Sequence, residues 1–318
     1  MSELSRLERL RRFFSRAPAP AGVTVGIGDD AAVLAPEGES IVWTVDAAIE
    51  GVHFRRDWMS LEDIGFRSLM AAASDLAAMG ARPRGVLSAL VLPEDFGDEE
   101  LDQLTRGQAE AAAALGTAVV GGNLARGTEL SVTTTVLGAA VRPLLRAGAK
   151  PGDIVGVAGH LGLAAAGIAA LRGGYRGPSV ERAIAAFRRP RALIEEGVAA
   201  ASRAHAAIDV SDGLALDASR LTAESNVGIV LEAESVRAAG GEALRAAAEA
   251  LSLDPLELAL HGGDDYALLM AFAHGEIAPP FIAIGRCVTG QGTVLQGSDG
   301  ALRPLQPRGY DHFGSSGQ

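Results

Sequence analysis

The chain has 318 residues, 48% hydrophobic and 21% charged, a length that favours two domains and a composition ordinary for a globular protein. Its formal charge of −11, with Lys150 as the one lysine, speaks against nucleic acid or an anionic membrane as partner, since both are bound by clustered cations that neutralise phosphates. The single Cys287 leaves no internal disulfide or Cys-rich zinc site and fits a reducing compartment; with no secretory leader pattern before Arg16 and no apolar run of membrane-spanning length, the expected location is cytoplasmic.

In chain order, Leu4, Leu7, Leu10 and Phe14 space out a helix face over 2–14. Glycines and acids follow at Gly26-Ile27-Gly28-Asp29-Asp30, then a strand from Ile41 to Val45 that ends at Asp46. Ser60 with Asp63 reads as an N-cap opening a helix that runs to Met79, where Gly80 stops it. A strand is expected over 86–92, a helix over 99–115, a short strand over 118–120 leading into Gly121-Gly122-Asn123, and an alternating strand over 130–137. Pro143, Gly148, Pro151 and Gly152 mark a boundary, giving domains over 1–142 and 143–318. Beyond it come a strand at 154–158, a helix at 162–171, a Gly-rich loop at 173–178, a helix after Pro190, and a strand at 206–210 that carries Asp209. A helix at 217–224, a strand at 228–232, a short helix at 254–260 and strands at 266–272 and 281–284 complete the series. Strands and helices mixed in both halves indicate an α/β (mixed α+β) protein of two domains.

Five loops share one grammar, a glycine or small residue beside carboxylates at a strand end: Gly28-Asp29-Asp30; Asp46 with Glu50-Gly51-Val52-His53; Gly121-Gly122-Asn123; Asp209-Val210-Ser211-Asp212-Gly213; and Gly262-Gly263-Asp264-Asp265. Glycine lets a ligand approach the backbone, and adjacent carboxylates are the hard oxygen ligands that Mg²⁺ prefers. Asp and Gly also favour turns by themselves, so no single loop decides. Asp75 lies in an Ala-rich helix, where it either holds a metal or faces solvent. Taken alone, His53 is a ligand group or a packed surface ring. Lys150 is not followed by Ser or Thr, and neither a Walker loop nor the protein-kinase motif set is present. An acidic protein that handles nucleotide phosphates without these must let metal ions and arginines such as Arg146 neutralise both.

Set in order, several motifs resemble the thiamine-monophosphate kinase family. They are Gly26 to Leu34, Glu50-Gly51-Val52-His53-Phe54, Ser74-Asp75-Leu76-Ala77-Ala78-Met79-Gly80, Ser131 to Gly138, Gly148-Ala149-Lys150-Pro151-Gly152-Asp153, Ile208 to Leu214, Gly262-Gly263-Asp264-Asp265-Tyr266 and Gly309-Tyr310-Asp311-His312-Phe313. The resemblance implies the fold of aminoimidazole-ribonucleotide synthetase, a homodimer paired through the N-terminal sheet, and direct transfer of the ATP γ-phosphoryl group to thiamine monophosphate. By matching position, Asp30, Thr44, Asp46, Asp75, Asn123, Asp209 and Asp212 would hold Mg²⁺, with Asp46, Asp75 and Asp212 carrying catalysis. Gly122, Asn123, Arg146 and Ser211 would contact ATP, and His53, Asp264 and Tyr310 the thiamine phosphate. Asn123 stands where the family usually has Asp, Val45 where it has Thr, Asp264 where it has Glu, and Leu163-Ala164 near a usual Gly-Asp-Ser. Two other readings stay open: another ATP-dependent enzyme of the same fold, and a nucleotide-binding homologue impaired in catalysis.

Overall fold

The computed structural model describes residues 23–25, 32–34 and 38–310; the expected helix over 2–14, the Gly26–Asp30 motif and the 311–313 part of the terminal motif lie outside them. Two mixed sheets organise the chain. The first has the order β1-β2-β3-β6-β4-β5, built from Val23–Val25, Ala32–Leu34, Ser40–Ile49, Arg82–Leu92, Val119–Arg126 and Ser131–Ala140 for β1 to β6. Its pairings are antiparallel apart from β4 with β5, which are joined by the crossover helix α2 (Asp98–Ala114), as a parallel pair requires. The second sheet, β13-β12-β9-β11-β7-β10-β8, draws on Ile154–Ala158, Ala204–Val210, Gly228–Glu232, Ala267–Phe272, Ile282–Val288, Gly292–Gln296 and Leu302–Pro304 for β7 to β13. Helices α3 (Leu163–Arg172), α4 (Pro178–Arg188), α5 (Ile194–Ala200), α6 (Leu214–Ser225), α7 (Ala233–Leu251) and α8 (Pro255–His261) accompany it.

Helix α1 (Leu61–Ala78) lies between the two sheets. Ser60 caps it, its side chain accepting the Asp63 N–H at 3.1 Å, and Gly80 in the left-handed region (φ +64) ends it as the sequence led us to expect. The helix is buried almost all round, which a helix flanked on two sides must be. Leu69, Leu76, Ala77 and Met79 share one core with Val42, Val86 and Val136 of the first sheet and with Ala207, Leu268, Met270 and Phe272 of the second. Small residues let neighbouring helices close on it. A Cβ at Gly65 would strike the Leu104 carbonyl oxygen of α2, one at Gly107 the Glu62 carbonyl oxygen of α1, and one at Gly197 of α5 the Ala77 carbonyl oxygen.

Two expectations need correction, and several elements had no expectation. The strand expected to end at Asp46 continues to Ile49, because β3 pairs with β6 along its whole length. Gly121-Gly122-Asn123 is not a loop but the middle of β5; there Gly122 pairs with Ser88, whose carbonyl oxygen occupies the place of a Cβ. The segment after 178 is the helix α4, with Pro178 in its first turn, while α7, β12 and β13 lacked a reading from periodicity.

The reciprocal glycine packing gives a stability test. Gly107→Ala is expected to lower unfolding free energy by about 1–3 kcal/mol through overpacking, against a helix-propensity gain of about 1 kcal/mol. Urea denaturation measures it; an unchanged or raised midpoint would mean that α1 and α2 can part without cost.

Candidate active site

The acidic residues gather where the end of α1 meets β3, inside the first sheet, and β8, at the edge of the second. Successive strand residues alternate faces, so Thr44 and Asp46 of β3 point to the face that α1 covers while Val45 points away. Thr44 is buried, and its hydroxyl donates to Asp75 Oδ2. Asp75 is therefore neither a core charge without a partner nor a solvent-facing residue; it is half-buried against β3. Asp46 Oδ1 accepts the Ala47 N–H at 2.8 Å, and its charge reaches Arg67 and Tyr266.

From the second sheet, β8 brings Asp209, 5% exposed. Burial pushes its carboxyl up to about 6, with help from Asp217 and Asp212, while the Ser74 hydroxyl and Arg146 act in the opposite sense. Ser74 precedes Asp75 in α1 and is fully buried near Asp209, but among the described residues its hydroxyl makes no hydrogen bond. Arg220 binds Asp212 and Asp217 at 2.6 Å each. Asp217 also accepts the Asp212 and Gly213 N–H groups at 3.0 and 3.1 Å, which fixes the loop that enters α6. The Ser211 carbonyl accepts the Asp264 N–H at 2.7 Å, and the Asp212 carbonyl accepts the Tyr310 N–H at 3.0 Å. Ser211, Asp212, Asp264 and Tyr310 are thus brought together by backbone bonds. His53 sits beyond the end of β3, where its Nδ1 lies 3.1 Å from the Ile49 nitrogen. A backbone N–H can only donate, so the neutral ring carries its proton on Nε2.

Two expected site residues stand apart from this cluster, and a third, Asp30, lies outside the described residues. Gly122 and Asn123 belong to β5, at the far edge of the first sheet. The register aligns Asn123 with Ala89, Thr133 and Ala47, which puts its side chain on the face opposite Thr44 and Asp46. Three strand spacings, about 14 Å, separate β5 from β3, so Asn123 and Val45 cannot meet at one ion within a single chain. Three residues escaped the sequence reading, Arg67, Asp217 and Arg220, and Tyr266 entered it without a site role, within the 262–266 motif. An arginine in an otherwise Ala- and Leu-rich helix was the available signal for the first; the others carry none without the fold.

Among the described residues no three carboxylate, His or Cys side chains converge into a metal cage. The donor chemistry nevertheless fits Mg²⁺: the set is all oxygen, burial together with the neighbouring Asp217 and Asp212 pushes Asp209 up to about 6, and Mg²⁺ commonly takes one or two carboxylates together with substrate phosphates.

Family models for the AIR synthase related protein match the chain, the N-terminal domain over residues 28–140 and the C-terminal domain over 150–275. A Mycobacterium tuberculosis protein named thiamine-monophosphate kinase is 37% identical over 300 residues, spanning 92% of this chain and 86% of its own length. The chain belongs to the thiamine-monophosphate kinase family. The Escherichia coli (strain K12) kinase is 33% identical, with 96% of this chain and 97% of the relative covered. The thiamine-monophosphate kinase family fold is confirmed by the structure of AaThiL complexed with AMPPCP and TMP, with a TM-score of 0.90 at 29% identity over 98% of this chain and 97% of that one. The hydrogenase maturation protein HypE, at 19% identity and a TM-score of 0.68 over 92% of this chain and 95% of that one, shares the fold alone.

Next to the cluster, Asp265 accepts the Gly162 and Ala164 N–H groups at the start of α3. Burial pushes its carboxyl up to about 8, against the pull of those backbone donors. A pKa raised on folding stabilises below the unfolded value near 3.8, and that contribution is lost as pH rises towards 8. Asp265→Asn is therefore expected to flatten stability between pH 5 and about 8 relative to the parent. Urea unfolding at both pH values measures the difference; two parallel profiles would place the titration elsewhere.

Proposed function

We propose that the chain is an ATP-dependent kinase that transfers the γ-phosphoryl group of ATP to the phosphate of thiamine monophosphate, giving thiamine diphosphate. The observation that carries this reading is the match, over nearly the whole chain, to AaThiL complexed with AMPPCP and TMP. The clustered oxygen donors agree with it. Asp46, Asp75, Asp209, Asp212 and Thr44, with Asp30 from outside the described residues, would hold Mg²⁺. The ion, when bound, supplies charge neutralisation at the phosphate oxygens.

The acceptor is a phosphate monoester, already anionic near neutral pH, so the chain need not provide a strong base to make a nucleophile. Its residues align two anions and offset their repulsion. Arg146, whose charge reaches Asp209, and Ser211 would take the nucleotide phosphates. His53, Asp264 and Tyr310 would contact thiamine monophosphate, with the His53 Nε2–H directed away from the Nδ1 bond. The proposed place of work is the cytoplasm; among the described residues no helix is long and apolar enough to cross a membrane.

We also read the chain as a homodimer through the outer face of the first sheet. Trp43 (47% exposed), Val45 (62%), Leu87 (45%) and Leu137 (37%) lie on the face away from α1, and an apolar sheet face of this kind needs cover. The roles of Gly122 and Asn123 towards ATP and metal then depend on a second copy, since Asn123 faces away from its own Asp75. The impaired-homologue reading is favoured only by Asn123 and Val45.

Purified protein with ATP, Mg²⁺ and thiamine monophosphate is expected to yield thiamine diphosphate. Asp75→Asn should lower kcat by roughly 100-fold or more while circular dichroism stays unchanged, because Asn can still accept the Thr44 hydroxyl. Full turnover in that variant would reduce Asp75 to a partner for Thr44. Trp43→Glu combined with Leu87→Glu should convert a dimer to a monomer in sedimentation velocity; a parent that sediments as a monomer would remove the dimer reading.

A further inference from the structure

Arg67 is the charge in this site that the kinase reading leaves without a task. It sits in α1, 4% exposed, an expensive place for a guanidinium unless its partners are well arranged. They come from the second sheet's half of the molecule. One terminal nitrogen donates to the Phe187 carbonyl at 2.5 Å, and the other donates to Asp264 Oδ1 at 2.5 Å. The guanidinium also lies over the Phe187 ring, 4.4 Å from its centroid, and 5.7 Å from that of Tyr266. Burial alone would lower its pKa, yet Asp264, Tyr266 and Asp46 outweigh burial and hold it above the ordinary value. Arg67 is permanently charged.

The partner is equally constrained. Asp264 has φ +67 and Tyr266 φ +50, left-handed conformations that cost non-glycine residues free energy and persist only where the surroundings impose them. The backbone N–H groups of both are tied to Ser211 and Val210 at 2.7 and 2.9 Å. The Tyr266 hydroxyl donates to the same Oδ1 that Arg67 binds, at 3.1 Å. Both side-chain donors therefore hold one carboxylate oxygen. Among the described residues no hydrogen bond goes to Oδ2, and the Asp264 side chain is 31% exposed.

We propose that Arg67 is a positioning residue that clamps Asp264 by Oδ1 and offers Oδ2 to a donor or cationic group of the acceptor substrate, not to its phosphate. The assignment of chemistry follows from charge: an ionised carboxylate attracts a cation or an N–H donor and repels a phosphate. Thiamine monophosphate carries both a ring cation and an amino group away from its phosphate. The inference rests on the kinase reading for the identity of the substrate. It adds that specificity for the organic end of the acceptor is set by an ion pair between the two sheets' halves of the chain.

Arg67→Lys keeps the charge but loses the fork that reaches Phe187 and Asp264 together. In steady-state kinetics, KM for thiamine monophosphate should rise roughly 10-fold while kcat and KM for ATP stay within about 2-fold. A purely structural role would instead weaken both substrates alike together with the melting temperature, and that result, or an unchanged KM for thiamine monophosphate, overturns the proposal. If Arg67→Lys fails to fold, Tyr266→Phe removes the second donor to Oδ1 without stranding a charge. The same KM should then rise by about 3-fold, and no change would overturn the proposal. Calorimetric binding of thiamine monophosphate without ATP separates the two readings. A parent that binds it but does not turn it over refutes the kinase reading alone, and the clamp is then judged on the variants' dissociation constants. A parent that does not bind it refutes both.

Discussion

A helix pressed between two sheets imposes the main constraint on this molecule. Because α1 is covered from both sides, its residues must be small or apolar to let the layers approach, and any charge it carries must find a partner in one sheet or the other. Asp75 finds Thr44 on β3, and Arg67 finds Asp264 beyond β8. Ser74 lies against Asp209. The polar groups of α1 thereby hold the two halves in register at the place where their carboxylates face each other. The glycines at 65, 107 and 197 serve the same end, since a side chain at any of them would push a neighbouring helix off α1.

That arrangement answers how an acidic chain with one lysine can host phosphates. Its fixed positive charge near the carboxylates comes from Arg67, Arg146 and Arg220, each in or beside the acidic cluster. Arginine suits this duty better than lysine: its fork engages two acceptors at once, as Arg67 does between the Phe187 carbonyl and Asp264, and it stays charged when buried. Burial first, and the neighbouring Asp217 and Asp212 after it, raise Asp209, a cost that a divalent cation would relieve. Positive charge is thus spread among groups that also set geometry.

The outer face of the first sheet is the second unresolved demand within one chain. Trp43, Val45 and Leu87 are exposed there, on strands whose other face packs on α1. A sheet apolar on both faces is stable in water when both are covered. The same face carries Asn123, so the proposed cover of this face and the proposed role of Asn123 are one geometric question.

Much of this was legible in the sequence because its signals are local. Ser60 and Gly80 mark the ends of α1 through hydrogen bonding and backbone conformation within a turn of each residue, and the boundaries match. The mixed α/β character, the two-part chain and the carboxylate-bearing loops around Asp209 and Asp264 follow from local periodicity and turn chemistry. The face assignments did not follow. Gly121-Gly122-Asn123 has the composition of a loop, and only its pairing with β4 makes it a strand. Asp75 could be read as buried or solvated until β3 placed Thr44 beside it. Arg67 and Asp264 are 197 residues apart, a distance over which no periodicity carries information. The sequence by itself determined the ends of elements with strong local signals, such as α1, and which residue types could ligate a cation, because capping, alternation and ligand chemistry are properties of neighbouring residues. The tertiary structure decided which carboxylates meet, which face Asn123 looks out on and which arginine holds Asp264, because those are set by sheet register and by the burial of α1 between the two sheets.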